Sequence, residues 1–308
     1  MRALVTGGAG FIGSHVVEAL LRRGDTVRVL DNFSTGKREN LKPLQKDVEV
    51  IEGDLREATA VKEAVKNVDF IFHLAAFISV PQSMSDPETC FAINVGGTVS
   101  LLEAARRAGV RKVVISSSTA VYGDTSVFPT TEETPLAPLS PYALSKQVDE
   151  LYARLYTQTL GLPVTALRYY NVYGPRQRPD SAYAAVIPIF VRKMIAGEPI
   201  MIFGDGRQSR DFIFVKDVAQ ANLLAAEADG AGEAFNICTG RETNLLDLLE
   251  ELSGLAPLSP KVLYEAPRPG DIYQSAGNPE KANHTLGFKA ETSLAKGLVE
   301  TVEWMKCK

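Results

Sequence analysis

The chain has 308 residues, of which 45% are hydrophobic and 23% are charged, and its 33 Lys and Arg against 37 Asp and Glu give a formal net charge of −4. These values exclude a disordered chain and a collagen-like chain, and they allow one large or two smaller domains with a sizeable core. The mild acidity and the lack of a basic stripe argue against nucleic acid as a partner.

The three cysteines, Cys90, Cys238 and Cys307, are scattered and have no metal-ligand spacing. We therefore expect neither a disulfide framework nor a bound metal. No run of about 18 apolar residues suggests a membrane span, and the first residues lack the pattern of a signal peptide. The sequence predicts a cytoplasmic protein without a membrane partner.

Short β-branched segments alternate with segments of helical spacing through the first half of the chain. The alternation is typical of βαβ units and predicts a Rossmann-type, doubly wound parallel sheet in the α/β class. The predicted strands are 3–6, 26–30, 48–51, 70–73, 112–116 and 164–167, and the predicted helices are 14–23, 59–65, 94–108 and 142–160.

The regular alternation ends after Asn171, in a stretch rich in Pro, Gly and Arg at 174–180. Such a stretch is typical of a domain boundary. We predict a first domain over 1–170 and a smaller, interleaved C-terminal domain over 171–308 that binds substrate. Residues 211–238 contain a strand, a helix and another strand, and we expect them to return to the sheet of the first domain.

A glycine-rich turn, Thr6-Gly-Gly-Ala-Gly-Phe-Ile-Gly13, follows the first strand and opens into a helix. Gly7, Gly10 and Gly13 allow a tight turn and close approach of the backbone to a pyrophosphate, which the helix N-terminus attracts. The second strand ends near Asp31, where a carboxylate accepts hydrogen bonds from a ribose. Its charge repels a 2′-phosphate, so we predict NAD rather than NADP as the cofactor.

Tyr142 and Lys146 lie four residues apart and therefore share one face of a predicted helix. Free tyrosine has a pKa of about 10, so a neighbouring ammonium is needed to favour tyrosinate near neutral pH. The segment Ser-Ser-Ser-Thr-Ala-Val-Tyr-Gly at 116–123 follows the fifth strand. Ligands of open α/β sheets bind at such strand ends, so we expect its hydroxyls beside the Tyr–Lys pair.

With these motifs in place, the sequence resembles the extended short-chain dehydrogenase/reductases, in particular the nucleotide-sugar epimerase branch typified by UDP-glucose 4-epimerase. The resemblance covers essentially the whole chain. Its other supporting segments are Gly53-Asp54-Leu55, His73-Leu-Ala-Ala76, Asn94-Val-Gly-Gly-Thr98, Leu167-Arg-Tyr-Tyr-Asn171, Arg210-Asp-Phe212 and Arg268-Pro-Gly-Asp271.

The resemblance implies a role for each matching position. Tyr142 is the expected acid and base, Lys146 its partner and a ligand of the nicotinamide ribose, and Ser118 the group that binds the reacting sugar hydroxyl, with Ser117 as the fallback. The implied cofactor contacts are Gly7, Gly10, Phe11, Ile12, Gly13, Asp31, Asn32, Asp54, Leu55, Leu74, Ala75, Ala76, Asn94, Ser116, Tyr142, Lys146 and Tyr169. The implied contacts to a UDP-sugar are Ser118, Asn171, Arg210, Arg268, Asp271 and Ser275.

Some members of these sets have a structural alternative. Asn94 either contacts the cofactor or bridges backbone segments, and a packing role is expected for His73.

The resemblance also bears on the reaction. Related dehydratases and decarboxylases carry an acidic residue where this chain has Thr119 and Ala120, so we predict a 4-epimerase acting on UDP-glucose and UDP-galactose. Ser275 stands where a large aromatic residue limits the room at the sugar C2, which predicts that UDP-GlcNAc and UDP-GalNAc are accepted too.

The alternatives are a UDP-glucuronate 4-epimerase, with Arg176 or Arg178 as the added cation, another epimerase or dehydratase of the family, and, least favoured, a non-catalytic NAD-sensing protein. The family also implies a homodimer built from helices within 87–108 and 142–160.

Overall fold

The computed structural model of the chain describes residues 1–179, 185–255, 261–267 and 272–307. The strands, in chain order, are β1 (Arg2–Thr6), β2 (Thr26–Asp31), β3 (Val48–Glu52), β4 (Phe70–His73), β5 (Lys112–Ser118), β6 (Val164–Tyr169), β7 (Asn171–Tyr173), β8 (Ile200–Phe203), β9 (Ser209–Arg210), β10 (Phe212–Phe214), β11 (Ala234–Ile237), β12 (Thr243–Asn244) and β13 (Val262–Glu265).

The helices follow the same order. They are α1 (Phe11–Arg22), α2 (Arg38–Leu41), α3 (Ala58–Ala64), α4 (Val80–Ser85), α5 (Pro87–Phe91), α6 (Gly97–Ala108), α7 (Pro141–Thr159), α8 (Val186–Ala196), α9 (Val215–Glu227), α10 (Leu245–Ser253), α11 (Glu280–Leu286) and α12 (Leu294–Lys306), with 3₁₀ turns at Lys42–Leu44 and Thr119–Tyr122 and a π-helical turn at Ala92–Gly96.

Seven strands form one parallel sheet in the order β11-β6-β5-β4-β1-β2-β3. The predicted α/β class and the Rossmann-type sheet are confirmed. All six strands predicted for the first half are present, and the predicted helix over 94–108 begins three residues later because the π-helical turn precedes it. The order β3-β2-β1-β4-β5-β6 places the reversal of strand order between β1 and β4, where open sheets bind ligands.

Helices cover both faces of the sheet, which explains why its central strands are mostly apolar. The edge strand β3, by contrast, has no buried residue and contains Glu49 and Glu52. On one face, Val16 and Leu20 of α1 and Val218 of α9 pack with β-strand residues such as Val5 and Phe72. The opposite face packs against α3, α6 and α7 through residues that include Val61, Leu101, Leu102, Ala153 and Tyr156.

A separate apolar cluster lies in the second half of the chain. Phe190 of α8, Ile202 of β8, Phe214 of β10, Leu248 of α10 and Leu298 of α12 are all buried in it. From the same half, β11 returns to the large sheet beside β6. The division into domains at residue 170 stays a prediction. Within the described ranges, no helix is both long and apolar enough to cross a membrane.

Candidate active site at the carboxyl ends of the strands

The glycine-rich turn brings β1 and α1 into direct backbone contact. Gly7 has a φ of 69°, and a Cβ added there would lie 2.7 Å from the backbone N of Ala75. A Cβ on Gly13 would lie 2.1 Å from the carbonyl oxygen of Gly7. No side chain fits at either position, so the backbone segments approach this closely only with glycine. The turn itself, which we call the cradle, lines a cavity.

A cavity of about 460 Å³ opens above this turn. Gly10 caps α1 without a side-chain hydrogen bond, so the N–H groups of the first helical turn are available to an anion. Sixteen of the seventeen predicted cofactor residues line the cavity: Gly7, Gly10, Phe11, Ile12, Gly13, Asp31, Asn32, Asp54, Leu55, Leu74, Ala75, Ala76, Ser116, Tyr142, Lys146 and Tyr169.

Asn94 is the predicted cofactor residue that does not line the cavity. It is 1% exposed, and its amide accepts a hydrogen bond from the N–H of Phe77 at 2.7 Å and donates to the Oγ of Ser145 at 2.9 Å. The amide also donates to the carbonyl oxygen of Phe77. Of the two roles considered for Asn94, this geometry matches the bridge between backbone segments.

Carboxylates line the far end of the cavity, where β2 and β3 end. The Asp31 carboxylate accepts backbone N–H bonds from Ala9 and Phe33, both at 2.8 Å. Burial raises the pKa of Asp31, and these two bonds act against that rise. Asp54 is bound by the guanidinium of Arg56 at 2.8 Å through two nitrogens, and these bonds hold its pKa well below the usual range. Each oxygen of Asp31 has a further lone pair for a ribose hydroxyl. The two oxygens of Asp54 already accept four hydrogen bonds, three from Arg56 and one from Asn32.

At the near end of the cavity, α7 presents Tyr142 and Lys146 to the same space. The helix begins at Pro141, and Ser140 caps it by accepting the N–H of Ala143. The ammonium of Lys146 donates to the carbonyl oxygen of Ser116 at 3.0 Å, which ties α7 to the end of β5. The Tyr–Lys pair and the glycine-rich turn, 135 residues apart when counted from Gly7 to Tyr142, therefore share one cavity.

The serines after β5 differ in their partners. The hydroxyl of Ser117 donates to Glu150 at 2.6 Å, and Glu150 in turn accepts two hydrogen bonds from Arg168. The hydroxyl of Ser118 accepts the N–H of Ala120, so its own hydrogen remains for another acceptor. The donor of Ser118 suits its predicted role in binding a substrate hydroxyl. The fallback Ser117, however, lines the cavity of Tyr142 and Lys146, and Ser118 is not among the lining residues.

A second cavity of about 610 Å³ lies in the C-terminal half and is lined by Asn171 and Arg210, two predicted substrate residues. Ser275 is tied to the neighbour of Arg210, because its N–H donates to the carbonyl oxygen of Ser209 at 3.2 Å. Arg268 and Asp271 lie outside the described residues. Three of the predicted substrate residues, Asn171, Arg210 and Ser275, therefore lie in or next to the second cavity.

The two arginines considered as extra cations lie elsewhere. The guanidinium of Arg176 donates to Glu18 of α1 at 2.6 Å, and Arg176 lines a different, smaller cavity with His15. Arg178 lies near the end of the first cavity that Asp31 lines, where its guanidinium donates to the carbonyl oxygen of Thr35 at 3.4 Å. Neither position favours a contact with a sugar carboxylate beside Tyr142.

The sequence did not predict some of the residues that line the two cavities. The segment after β4 contributes Phe77, Ile78, Ser79 and Gln82 to the first cavity, and α5 contributes Thr89. The signal for these residues is their place directly after His73-Leu-Ala-Ala76, at a strand end. In the second cavity, Phe190, Phe203 and Phe212 supply aromatic walls from three separate elements, which no local spacing reveals.

Comparison with known proteins agrees with the geometry of the first cavity in indicating an enzyme that binds a dinucleotide. The model of the NAD dependent epimerase/dehydratase family matches residues 3–238. The chain belongs to this family. The match confirms the predicted resemblance, the NAD cofactor and an enzyme of the epimerase type.

Three relatives match over nearly the full length. A UDP-glucose 4-epimerase of Mycolicibacterium smegmatis is 41% identical, over 100% of this chain and 99% of its own. The structure of UDP-glucose 4-epimerase from Thermotoga maritima with UDP-glucose has a TM-score of 0.95 at 40% identity, covering 100% and 99% of the two chains. A UDP-N-acetylglucosamine 4-epimerase from Methanobrevibacter ruminantium, in complex with UDP-N-acetylmuramic acid, has the same score and identity, covering 99% and 98%.

Other relatives have different activities in their names. A dTDP-glucose 4,6-dehydratase of Streptomyces niveus is 35% identical and a UDP-glucuronate 4-epimerase of Arabidopsis thaliana is 34% identical. The comparisons therefore establish the family, and the substrate is a separate question.

Proposed function

We propose that this protein is a UDP-sugar 4-epimerase that interconverts UDP-glucose and UDP-galactose. The observation that carries the proposal is the arrangement of the first cavity, in which Tyr142 and Lys146 lie beside a dinucleotide cradle while the neighbouring Thr119 and Ala120 supply no carboxylate. The arrangement supports oxidation and reduction at one carbon without an added acid.

The cradle suits NAD, because Gly7, Gly10 and Gly13 line the cavity without side chains and α1 offers free N–H groups there. In our proposal Gly10 to Gly13 hold the pyrophosphate and Asp31 holds the adenosine ribose. Leu55 packs against adenine, and Tyr169 and Lys146 hold the nicotinamide end. When bound, NAD would supply the reversible hydride acceptor that oxidation and reduction at C4 of the sugar require.

Tyr142 moves the proton in this reaction. As tyrosinate it removes the proton of the 4-hydroxyl while C4 is oxidised, and it returns that proton when the 4-ketone is reduced. The positive charge of Lys146 favours the tyrosinate. Ser118 donates a hydrogen bond to the same sugar oxygen. The two half-reactions cancel, so the sugar is neither oxidised nor reduced overall.

Residues 119 and 120 distinguish this reaction from elimination. A dehydratase must protonate a leaving hydroxyl, and neither Thr119 nor Ala120 is an acid at neutral pH. Both residues lie in the 3₁₀ turn that follows Ser118. This composition favours epimerisation over the activity named in the dehydratase relatives.

The second cavity is our candidate for the nucleotide of the substrate. Arg210 is assigned to the pyrophosphate because a guanidinium binds phosphate through two parallel hydrogen bonds, and Asn171 to the adjoining phosphate region. The family pattern assigns Arg268 to the pyrophosphate and Asp271 to the ribose. With this assignment, residues 171–308 are the substrate domain, apart from α9 and β11, which accompany the large sheet. The strand β10, predicted to return to that sheet with them, pairs with β7 instead.

The choice of sugar is assigned to Ser275. The N–H of Ser275 donates to the carbonyl oxygen of Ser209, the neighbour of Arg210. The small side chain of Ser275 leaves more room than an aromatic ring. We therefore infer that sugars with an N-acetyl group at C2 are also accepted. Replacing Ser275 by Tyr is expected to reduce turnover of UDP-GalNAc much more than turnover of UDP-galactose.

The deciding experiment incubates the purified protein and NAD with UDP-galactose, UDP-GalNAc or UDP-glucuronate and separates the C4 epimers. Conversion of UDP-galactose without net change in absorbance at about 340 nm supports the proposal. Net NADH formation indicates a simple dehydrogenase, a 4-keto-6-deoxy product indicates a dehydratase, and conversion of UDP-glucuronate alone indicates the related uronate epimerase. Tyr142→Phe is the inactive control.

We also propose that the protein is a homodimer. Leu144, Leu151 and Leu155 are 52%, 57% and 45% exposed along one side of α7, and Phe91 of the adjacent α5 is 62% exposed. Such a row of apolar side chains is typical of a helix that packs against a partner. Light scattering is expected to give twice the chain mass for the wild type and the single mass for Leu151→Glu.

A further inference from the structure

Lys146 has a buried counter-ion on its own helix. Its ammonium lies 3.4 Å from the Oδ2 atom of Asp149, and the two side chains are 3% and 1% exposed. The residues are three apart, so they share one face of α7. Asp149 and the carbonyl oxygen of Ser116 accept two of the three N–H bonds of the ammonium. The third is left for the cavity that Lys146 lines.

The side chain of Asp149 is almost completely shielded from solvent. Burial raises the pKa of its carboxyl to about 6, and the charge of Lys146 acts against that rise. The hydroxyl of Thr98 also favours the carboxylate. Within the described residues, the second carboxylate oxygen of Asp149, Oδ1, has no partner that meets hydrogen-bond geometry. A carboxylate in this position depends on Lys146, and the ammonium depends on it in return.

The other titratable groups near the pair do not supply a second counter-ion. His73 is neutral because burial lowers its pKa to about 3, and its ring is held between the hydroxyls of Thr6 and Thr98. Burial raises the pKa of the Cys90 thiol. Glu150 is bound to Arg168 by two hydrogen bonds. Tyr142 itself lies one helical turn before Lys146.

We propose that Asp149 is a positioning residue that keeps the ammonium of Lys146 charged and fixed against Ser116, and thereby keeps Tyr142 competent. A buried cation that loses its counter-ion is strongly destabilised. Because Coulomb energy falls with distance, loss of the carboxylate acts more on Lys146, with which it is in contact, than on Tyr142. In Asp149→Asn, Lys146 therefore gives up its proton at a lower pH.

The first test rests on the proposed epimerase function and compares kcat across pH. With UDP-galactose and saturating NAD, the ratio of kcat in Asp149→Asn to kcat in the wild type is expected to fall about tenfold between about pH 7 and about pH 10, which corresponds to a shift of about one pH unit in the alkaline limb. Asp149→Glu, which keeps the charge, is expected to restore a profile parallel to the wild type.

Asp217→Asn is the matched control. Asp217 is a second buried acid on a helix, 8% exposed, with a pKa raised by burial, but its partners are Glu291 and Thr292, remote from the cavity. It is expected to change stability without changing the pH profile of kcat. A constant ratio for Asp149→Asn, or an equal fall in Asp217→Asn, overturns the proposal.

The second test needs no turnover. Acetic anhydride modifies neutral amines, and mass spectrometry of the protein without cofactor reports the pH at which Lys146 becomes reactive. That pH is expected to be lower in Asp149→Asn than in the wild type or in Asp217→Asn, and equal values overturn the proposal. Asp149→Ser replaces Asp149→Asn if the latter does not fold. A wild type inactive on every UDP-hexose contradicts the proposed function while this test still decides the role of Asp149.

Discussion

Asp149 and Glu150 follow one another on α7, and each pairs with a buried cation. Glu150 binds Arg168 through two hydrogen bonds of 2.8 and 2.6 Å and also accepts the hydroxyl of Ser117. Asp149 has one contact of 3.4 Å with Lys146 and an oxygen without a hydrogen-bond partner in the described part of the chain. The first pair is saturated and joins α7 to the sheet, whereas the second leaves a donor of its cation for chemistry.

The comparison teaches that burial alone does not separate a structural ion pair from a reactive one. Arg168 also donates to the hydroxyl of Tyr122, which donates onward to Asn236, so four elements meet at this guanidinium. Lys146 donates to Asp149 and to the carbonyl oxygen of Ser116, and among the described residues these two contacts lead to no comparable network. The two ion pairs differ in the number of their donors and acceptors that remain for other partners.

The largest expected effect is on the reactive side of the comparison. Tyr142→Phe removes the hydroxyl that carries the proton, and kcat is expected to fall by about 10³- to 10⁴-fold, or about 4–5 kcal/mol of activation free energy. Steady-state epimerisation assays give kcat, and urea unfolding serves as the control. A loss of stability comparable to the loss of activity would show that Tyr142 acts through the fold.

The next effect is on the structural side. Arg168→Met leaves Glu150 buried without its cation and is expected to lower the free energy of unfolding by about 3–4 kcal/mol. Urea denaturation measures the change. The double variant Glu150→Leu with Arg168→Met is expected to recover most of it, because an apolar pair needs no counter-ion. If the double variant does not recover stability, the network around Tyr122, rather than the ion pair, is what stabilises the folded protein.

A smaller effect concerns the dependence of stability on pH. The folded-state pKa of Asp149 is raised to about 6 from an ordinary value of 3.8, so the folded state binds this proton more tightly than the unfolded state does. Stability from this residue is therefore present at low pH and is lost as pH rises through about 4 to 6. Across this window the wild type is expected to lose about 3 kcal/mol of unfolding free energy that Asp149→Asn, which has no titrating group here, does not lose. Urea titrations are therefore expected to show the stability difference moving toward the variant as pH rises, from a starting point lowered by the loss of the counter-ion of Lys146.

The smallest effect separates the two serines. Ser118→Ala is expected to lower kcat by about tenfold, equivalent to about 1.4 kcal/mol, because one hydrogen bond to the reacting oxygen is lost. Ser117→Ala, which removes one of the three hydrogen bonds that Glu150 accepts, is expected to reduce stability with little change in kcat. The reverse pattern in paired kinetic and unfolding measurements assigns the substrate contact to Ser117.

Local sequence patterns predicted the features that depend on local spacing. The glycine-rich turn, Asp31 and the Tyr142–Lys146 pair each lie within one strand–helix unit, so spacing in the chain gives their position in space. The positions of Phe77 and Asn94 depend on a contact across 17 residues, and the environment of Ser117 depends on contacts across 33 residues to Glu150. Such contacts form only when separate elements pack, which local spacing does not encode.

Asp149 shows the same limit within a single helix. Its spacing of three from Lys146 is visible in the sequence, but a pair at this spacing is usually solvated. Its burial depends on packing of α7 against the elements that carry Thr98 and Cys90. The structure was therefore needed to distinguish it from an ordinary surface ion pair.

The backbone contact at Gly13 restricts the substitutions that this sequence can tolerate during evolution. A methyl group there meets the carbonyl oxygen of Gly7 at 2.1 Å, and a methyl group at Gly7 meets the backbone beside Ala75. Neither obstacle is a side chain, so no second substitution elsewhere can make room. By contrast, a Cβ at Gly24, Gly109 or Gly287 meets nothing within 4 Å, and only the backbone angle opposes it. A saturation library is expected to accept replacements at these three cap positions and to return glycine alone at 7 and 13.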